Sequence, residues 1–217
     1  MTLNLSRTLG RWLAPLALLA AAALQPAAAD LARPINPPIA TDSPGKIEVI
    51  EFFSYGCPHC AKFNPLLHAW AAKQPQDVAF KRVPITFGRA QWVNLGKLFY
   101  TLETNGDLEK LDQAVFNAIH DQGTNLYDAN SIQAWIAKQG ADGKKFSETF
   151  ASFGVNSKMA RAEQLAKSYK VDWVPMVVVD GRYVIEGNSY GDVLKNLDQI
   201  LAKVRAEKGN DKGGKKK

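Results

Sequence analysis

The chain has 217 residues, of which 46% are hydrophobic and 22% charged, so it is rich enough in apolar side chains to bury a core and is not a disordered polymer. Its formal net charge of +6 sits at the ends: Arg7 and Arg11 open the chain, and Lys203 to Lys217 carries seven basic and two acidic residues. The body between is close to neutral and has neither an aromatic–basic stripe nor finger spacing, which excludes nucleic-acid recognition as its work, while two cysteines are too few for a disulfide scaffold.

In chain order, Arg7 and Arg11 form a positive leader, Trp12 to Leu24 is apolar, and Ala27-Ala28-Ala29 supplies the small residues a signal peptidase reads. This predicts a signal peptide over 1–29. The apolar run is short for a membrane span and is interrupted by Pro15, Gln25 and Pro26. No cysteine near Ala29 offers a lipid attachment point, and no later run is long enough to cross a bilayer. An exported chain meets an oxidising compartment, where disulfides form and persist.

Residues 30–45 hold Pro34, Pro37, Pro38 and Pro44 and read as an extended lead-in. Lys46 to Phe53 reads as a strand, apolar on both faces except for Glu51. Cys57 to about Lys73 is helix-patterned, and Asp77 to Ile85 is a second strand. From Arg89 to Lys170 the apolar residues recur at one-face helical spacing, which predicts four or five short helices separated by Gly106, Gly123, Gly140 and Gly154. Pro175 to Val179 is a strand, Asp180-Gly181 a type I′ hairpin turn, and Arg182 to Glu186 the returning strand. Ser189 to Ala206 is a last amphipathic helix, followed by a Lys/Gly tail over 207–217 that reads as solvated and disordered. A strand–helix–strand crossover makes the first two strands parallel, and the hairpin adds an antiparallel pair. The predicted class is α/β: a mixed four- or five-stranded sheet flanked by helices, split into 46–88 and 171–206 by an all-helical insertion over 89–170.

The chemistry concentrates at Cys57-Pro58-His59-Cys60, the chain's only cysteines. A ring closed by two thiols three positions apart restrains almost no unfolded chain, so it is a poor staple and a better reactive pair. Cys57 falls at the N-terminus of its helix, where free backbone N–H groups and the helix dipole favour an anion. Cys60 lies one turn inside. Cys57 is therefore expected to be the sulfur that clients attack, and Cys60 the buried resolving thiol. Pro58 suits the first helical position, where its missing N–H costs nothing. His59 can add a donor or a positive charge beside the thiolate. Haem attachment would need His where Ala61 stands, and a structural zinc would need more ligands than Cys57, Cys60 and His59 supply. His68 and His120 fall in helix patterns as core or surface residues, Arg82 could tune the site electrostatically, and Pro65 would kink the first helix.

A strand, a Cys-x-x-Cys at a helix start, and Val174-Pro175 before a hairpin resemble the thioredoxin fold. Glu51-Phe52-Phe53-Ser54 before Cys57-Pro58-His59-Cys60, with a helical insertion and a signal peptide, resembles the DsbA family of bacterial periplasmic thiol oxidases over roughly Lys46 to Ala206. The resemblance implies that Glu51 is a buried acid shuttling a proton for Cys60, and that Pro175 is a cis-proline facing the pair. It implies client contacts near Tyr55, Trp173 and Val174. It also implies a monomer in the periplasm that uses no cofactor beyond its own disulfide, binds no metal, oxidises exported polypeptides with free cysteines, and is recharged by a membrane-bound, quinone-coupled reoxidase. A reductase or isomerase of the same fold, or a chaperone-like client binder with incidental thiols, are the competing readings.

Overall fold

The computed structural model describes residues 31–214, with side chains to 209. The expected signal peptide over 1–29 lies outside the described residues. Five strands form one mixed sheet: β1 (Ala32–Pro34), β2 (Ile47–Phe53), β3 (Val78–Pro84), β4 (Met176–Val179) and β5 (Tyr183–Ile185). Their spatial order is β1-β5-β4-β2-β3. β2 runs parallel to β3, with Val49 opposite Phe80, and antiparallel to β4, with Val49 opposite Val179. Every residue of β2 is buried, as a central strand covered on both faces requires.

Helices cover the two faces with different cores. Ile47 and Val49 face Phe63, Leu67 and Trp70 of α1 (Pro58–Ala71) and Leu197, Ile200 and Val204 of α7 (Tyr190–Gly214). Ile50 and Phe52 face the helical insertion, through Leu95, Leu98 and Phe99 of α2 (Ala90–Asn105) and Val155 and Met159 of α6 (Phe153–Ser168). Alternation along one strand thus feeds two cores. Between α2 and α6 run α3 (Leu108–His120), α4 (Ala129–Lys138) and α5 (Gly143–Ala151), so five helices fill the insertion. Side-chain caps start several of them: Asp128 accepts from the Ser131 amide, Asp142 from the Lys144 and Lys145 amides, and Ser152 from the Val155 amide.

The expected I′ turn is present, with φ of 53° at Asp180 and 66° at Gly181. A Cβ on Gly181 would also sit 1.9 Å from the Ile39 carbonyl oxygen, because the lead-in crosses directly over the turn. That crossing explains one difference from the sequence pattern: the Pro-rich segment begins with a true edge strand, β1, paired antiparallel to β5. A second difference lies at the other end. The helix pattern stops at Ala206, yet α7 continues to Gly214, and Lys208 is tied down by the Asp180 carboxylate (2.6 Å) and the Lys46 carbonyl (3.0 Å). A third is Glu48. It lies in a strand where Glu51 seemed the single polar interruption, and it is buried against Lys81 (2.7 Å) and the Ser43 hydroxyl (2.7 Å).

Candidate active site

The redox pair sits where β2 ends and α1 begins. Cys57 is the N-cap of α1: its backbone is still extended, and its sulfur accepts from the Cys60 amide at 3.4 Å. Pro58 takes the first helical position. Gly56 is needed for close approach, since a Cβ there would lie 2.7 Å from the Trp92 indole nitrogen. The two cysteines are free thiols in the structure.

Their surroundings differ. Cys60 is 0% exposed; Cys57 is 6% exposed, covered by the Val174-Pro175 turn, whose Val174 carbonyl accepts from its Sγ at 3.6 Å. The Val174–Pro175 bond is cis. The Cys57 thiol is drawn down to about 6, first by a hydrogen bond from the Cys60 thiol. Burial opposes this, and the Cys60 and His59 amides and the His59 charge assist it. The Cys60 thiol moves the other way, far above an ordinary cysteine, first through burial and then through the Cys57 hydrogen bond and the charges of Glu51 and Cys57. The helix start therefore acts mainly through its backbone donors and the second thiol. The His59 ring makes no hydrogen bond to the sulfur; its Nδ1 lies 3.2 Å from the Tyr190 hydroxyl.

Beneath Cys60 lies a buried ionic cluster. Glu51 is fully buried, and its Oε2 accepts from Arg82 Nε at 2.7 Å, while its Oε1 has no partner. Burial raises the Glu51 pKa, with Arg82 opposing. Arg82 also donates from Nη1 to Asp112 Oδ1 at 2.8 Å, and its guanidinium lies over the Phe53 ring at 3.9 Å. Asp112 is a residue that periodicity hid within α3. It accepts from the Tyr55 hydroxyl (2.6 Å) and the Asn64 amide (2.9 Å), and it approaches His68 Nε2 at 3.3 Å. Burial pushes its carboxyl up, but Arg82 and these donors together hold it well below the usual carboxylate range.

These positions sort the expected site residues. Cys57, Cys60, Pro58, His59, Val174 and Pro175 gather at one surface, with Glu51 below. Trp173 is 41% exposed beside them, under the Arg33 guanidinium at 5.5 Å. Tyr55 does not join that surface. Its ring is 1% exposed among Phe53, Phe99 and Phe116, because its hydroxyl reaches inward to Asp112. It supports the buried cluster. His120 holds the same segment, donating to the Tyr55 carbonyl at 2.7 Å. Next to the sulfurs, a groove of about 460 Å³ is lined by His59, Phe63, Val174, Pro175, Tyr190 and Val193, among others. Tyr190 and Asp112 were not legible as site residues; the sole local sign was an aromatic at the start of the last helix and an acid on an otherwise apolar helix face.

A family model described as a DSBA-like thioredoxin domain matches residues 48–198. The chain belongs to that family. It is 45% identical over 177 residues to the thiol:disulfide interchange protein DsbA of Bordetella parapertussis, covering 79% of this chain and 83% of that one. It is likewise 45% identical over 166 residues to DsbA of Pseudomonas syringae, covering 75% and 77%. The crystal structure of Pseudomonas aeruginosa DsbA superposes with a TM-score of 0.80 at 36% identity, over 83% of this chain and 95% of that one. The thioredoxin-like fold and the thiol:disulfide oxidoreductase class are thereby established, and the Cys57–Cys60 pair fits the active site of such an enzyme.

Proposed function

We propose that this protein donates its Cys57–Cys60 disulfide to exported polypeptides in the periplasm. The opposite environments of the two sulfurs carry this reading. A stabilised Cys57 thiolate favours the reduced pair, so the oxidised pair readily gives its disulfide away; the same reasoning, with DsbA as its standard case, links an acidic cysteine to an oxidising couple.

In the proposed cycle a client thiolate attacks Cys57 Sγ, a client–Cys57 disulfide forms, and the Cys57–Cys60 bond breaks with its electron pair moving to Cys60. A bare Cys60 thiolate in that dry pocket is unfavourable, so the leaving sulfur takes up a proton by way of the Glu51 carboxyl, whose pKa burial raises while Arg82 opposes. A second client thiolate then attacks the client sulfur, and Cys57 departs as the stabilised thiolate. Two client thiols have become a disulfide, and the enzyme pair is reduced. Val174 and Pro175 offer backbone to an extended client, with Trp173 alongside. Return to the disulfide form falls to a membrane-bound, quinone-coupled reoxidase, where Glu51 takes the Cys60 proton back. The pair itself serves as the redox group, with no separate cofactor, and a single copy suffices.

Equilibration with glutathione tests the direction. The donor reading expects the pair to be largely reduced by a mildly reducing glutathione buffer. A disulfide that resists such a buffer would instead mark a reductase.

A further inference from the structure

We propose that Tyr190 is a positioning residue for the redox pair: its hydroxyl holds the His59 ring beside Cys57 and links the neighbouring groove to the thiolate. The inference rests on the donor reading above and adds a residue that the motif does not contain.

Tyr190 opens α7, 131 positions from His59, and the fold brings them together. Its ring is stacked on Phe63 of α1, with centroids 5.2 Å apart and planes 21° from parallel, so the phenol is fixed to the same helix that presents the cysteines. From there its oxygen reaches His59 Nδ1 at 3.2 Å, the hydrogen-bond partner of that ring among the described residues. The titratable groups facing Cys57 are then Cys60 and His59 on α1 and Tyr190 on α7.

An exposed imidazole without a partner samples several rotamers, and its pull on a nearby anion falls as it swings away. A phenol oxygen can accept from the ring Nδ1–H, so it holds the imidazole in one orientation on the Cys57 side. The coupling also runs in reverse. The Tyr190 hydroxyl is made less acidic by burial and then by the negative charge of Cys57, so it stays a neutral donor and acceptor while the thiolate is present. Phe63, Tyr190 and His59 also line the groove beside Val174 and Pro175. A client side chain seated there touches the ring that steadies His59, so docking and thiolate stabilisation share one residue.

Tyr190→Phe keeps the stacked ring and removes only the hydroxyl. Wild type, Tyr190→Phe, His59→Ala and the double variant are compared by thiolate absorbance titration and by glutathione equilibrium, with thermal melting to confirm an unchanged fold. Tyr190→Phe is expected to raise the Cys57 midpoint and to weaken the oxidising equilibrium by about three- to tenfold, the scale of one hydrogen bond. In the His59→Ala background the same substitution should change neither. No effect of Tyr190→Phe in the wild-type background, or an equal effect in both, would overturn the proposal. A wild-type disulfide that resists reduction by the glutathione buffer overturns the donor reading itself, and that result is read without any Tyr190 variant.

Discussion

The rim around Cys57 and the floor under Cys60 are built from different materials. The rim consists of backbone amides, a turn carbonyl, an exposed imidazole and an apolar groove. The floor consists of buried charges, Glu51 against Arg82 against Asp112, closed over by Tyr55 and Asn64. The rim lowers the pKa of a sulfur that clients can reach. The floor, by excluding water, raises that of a sulfur they cannot. One motif thus holds an anion and a neutral thiol one helical turn apart, and the division follows from where each faces.

The sharpest way to break this comparison is to delete each sulfur in turn. Cys57→Ser should abolish disulfide transfer altogether. Cys60→Ser should leave Cys57 reactive but trap client–enzyme mixed disulfides, visible as a higher-mass band under non-reducing electrophoresis. Trapping by both variants equally would erase the distinction between rim and floor.

The floor is next. Arg82→Met leaves the buried Asp112 carboxylate and the Glu51 carboxyl without their cation, and it should cost about 3–5 kcal/mol of stability in denaturant unfolding. A small loss would mean that water already screens the cluster. Glu51→Gln keeps the shape and removes the proton. It should slow the release of Cys60 by about a hundredfold, the lower range of general acid catalysis, and flatten the pH dependence of that step, with little change in the Cys57 titration. Stopped-flow mixing of the oxidised protein with a model client thiol reads both.

The reduced enzyme should also answer to pH through the rim. Because the folded Cys57 pKa of about 6 lies below its ordinary value, the stability it contributes is fully present above the ordinary thiol pKa and is lost as pH falls through about 6. Unfolding of the reduced protein across that window should show the loss, and Cys57→Ser should not. The smallest effect is expected outside both regions. Arg33→Ala removes an exposed cation–π contact with Trp173 and a solvent-facing pair with Glu186, so stability should change by no more than about 0.5 kcal/mol. Arg33 beside Arg82 measures what burial does to a guanidinium.

Much of the architecture was readable because local rules dictate it. Asp180-Gly181 forces positive φ twice and so announces the hairpin. The Cys57–Cys60 spacing, Pro58 at the first helical position and Glu51 within an apolar strand are all short-range statements, and each holds its place in the structure. What stayed hidden was pairing across long separations. Asp112 meets Arg82 30 residues away and Tyr55 57 residues away, and Tyr190 meets His59 across 131. Helical periodicity assigns such polar residues to the solvent side by default. Tyr55 is drawn inward in the same way: its hydroxyl partner Asp112 lies in the interior, on a different element. The edge strand in the lead-in and the extended last helix each depend on a contact with the hairpin turn that composition does not reveal.

A thiol of ordinary acidity cannot drive the chemistry described, so the ionisation of Cys57 is the quantity to measure. Titrating the ultraviolet thiolate absorbance of the reduced protein should give a single transition near pH 6 that disappears in Cys57→Ser and persists in a variant lacking only Cys60, shifted upward by loss of its thiol hydrogen bond. A transition found only near 8.5, where free cysteine ionises, would contradict the account.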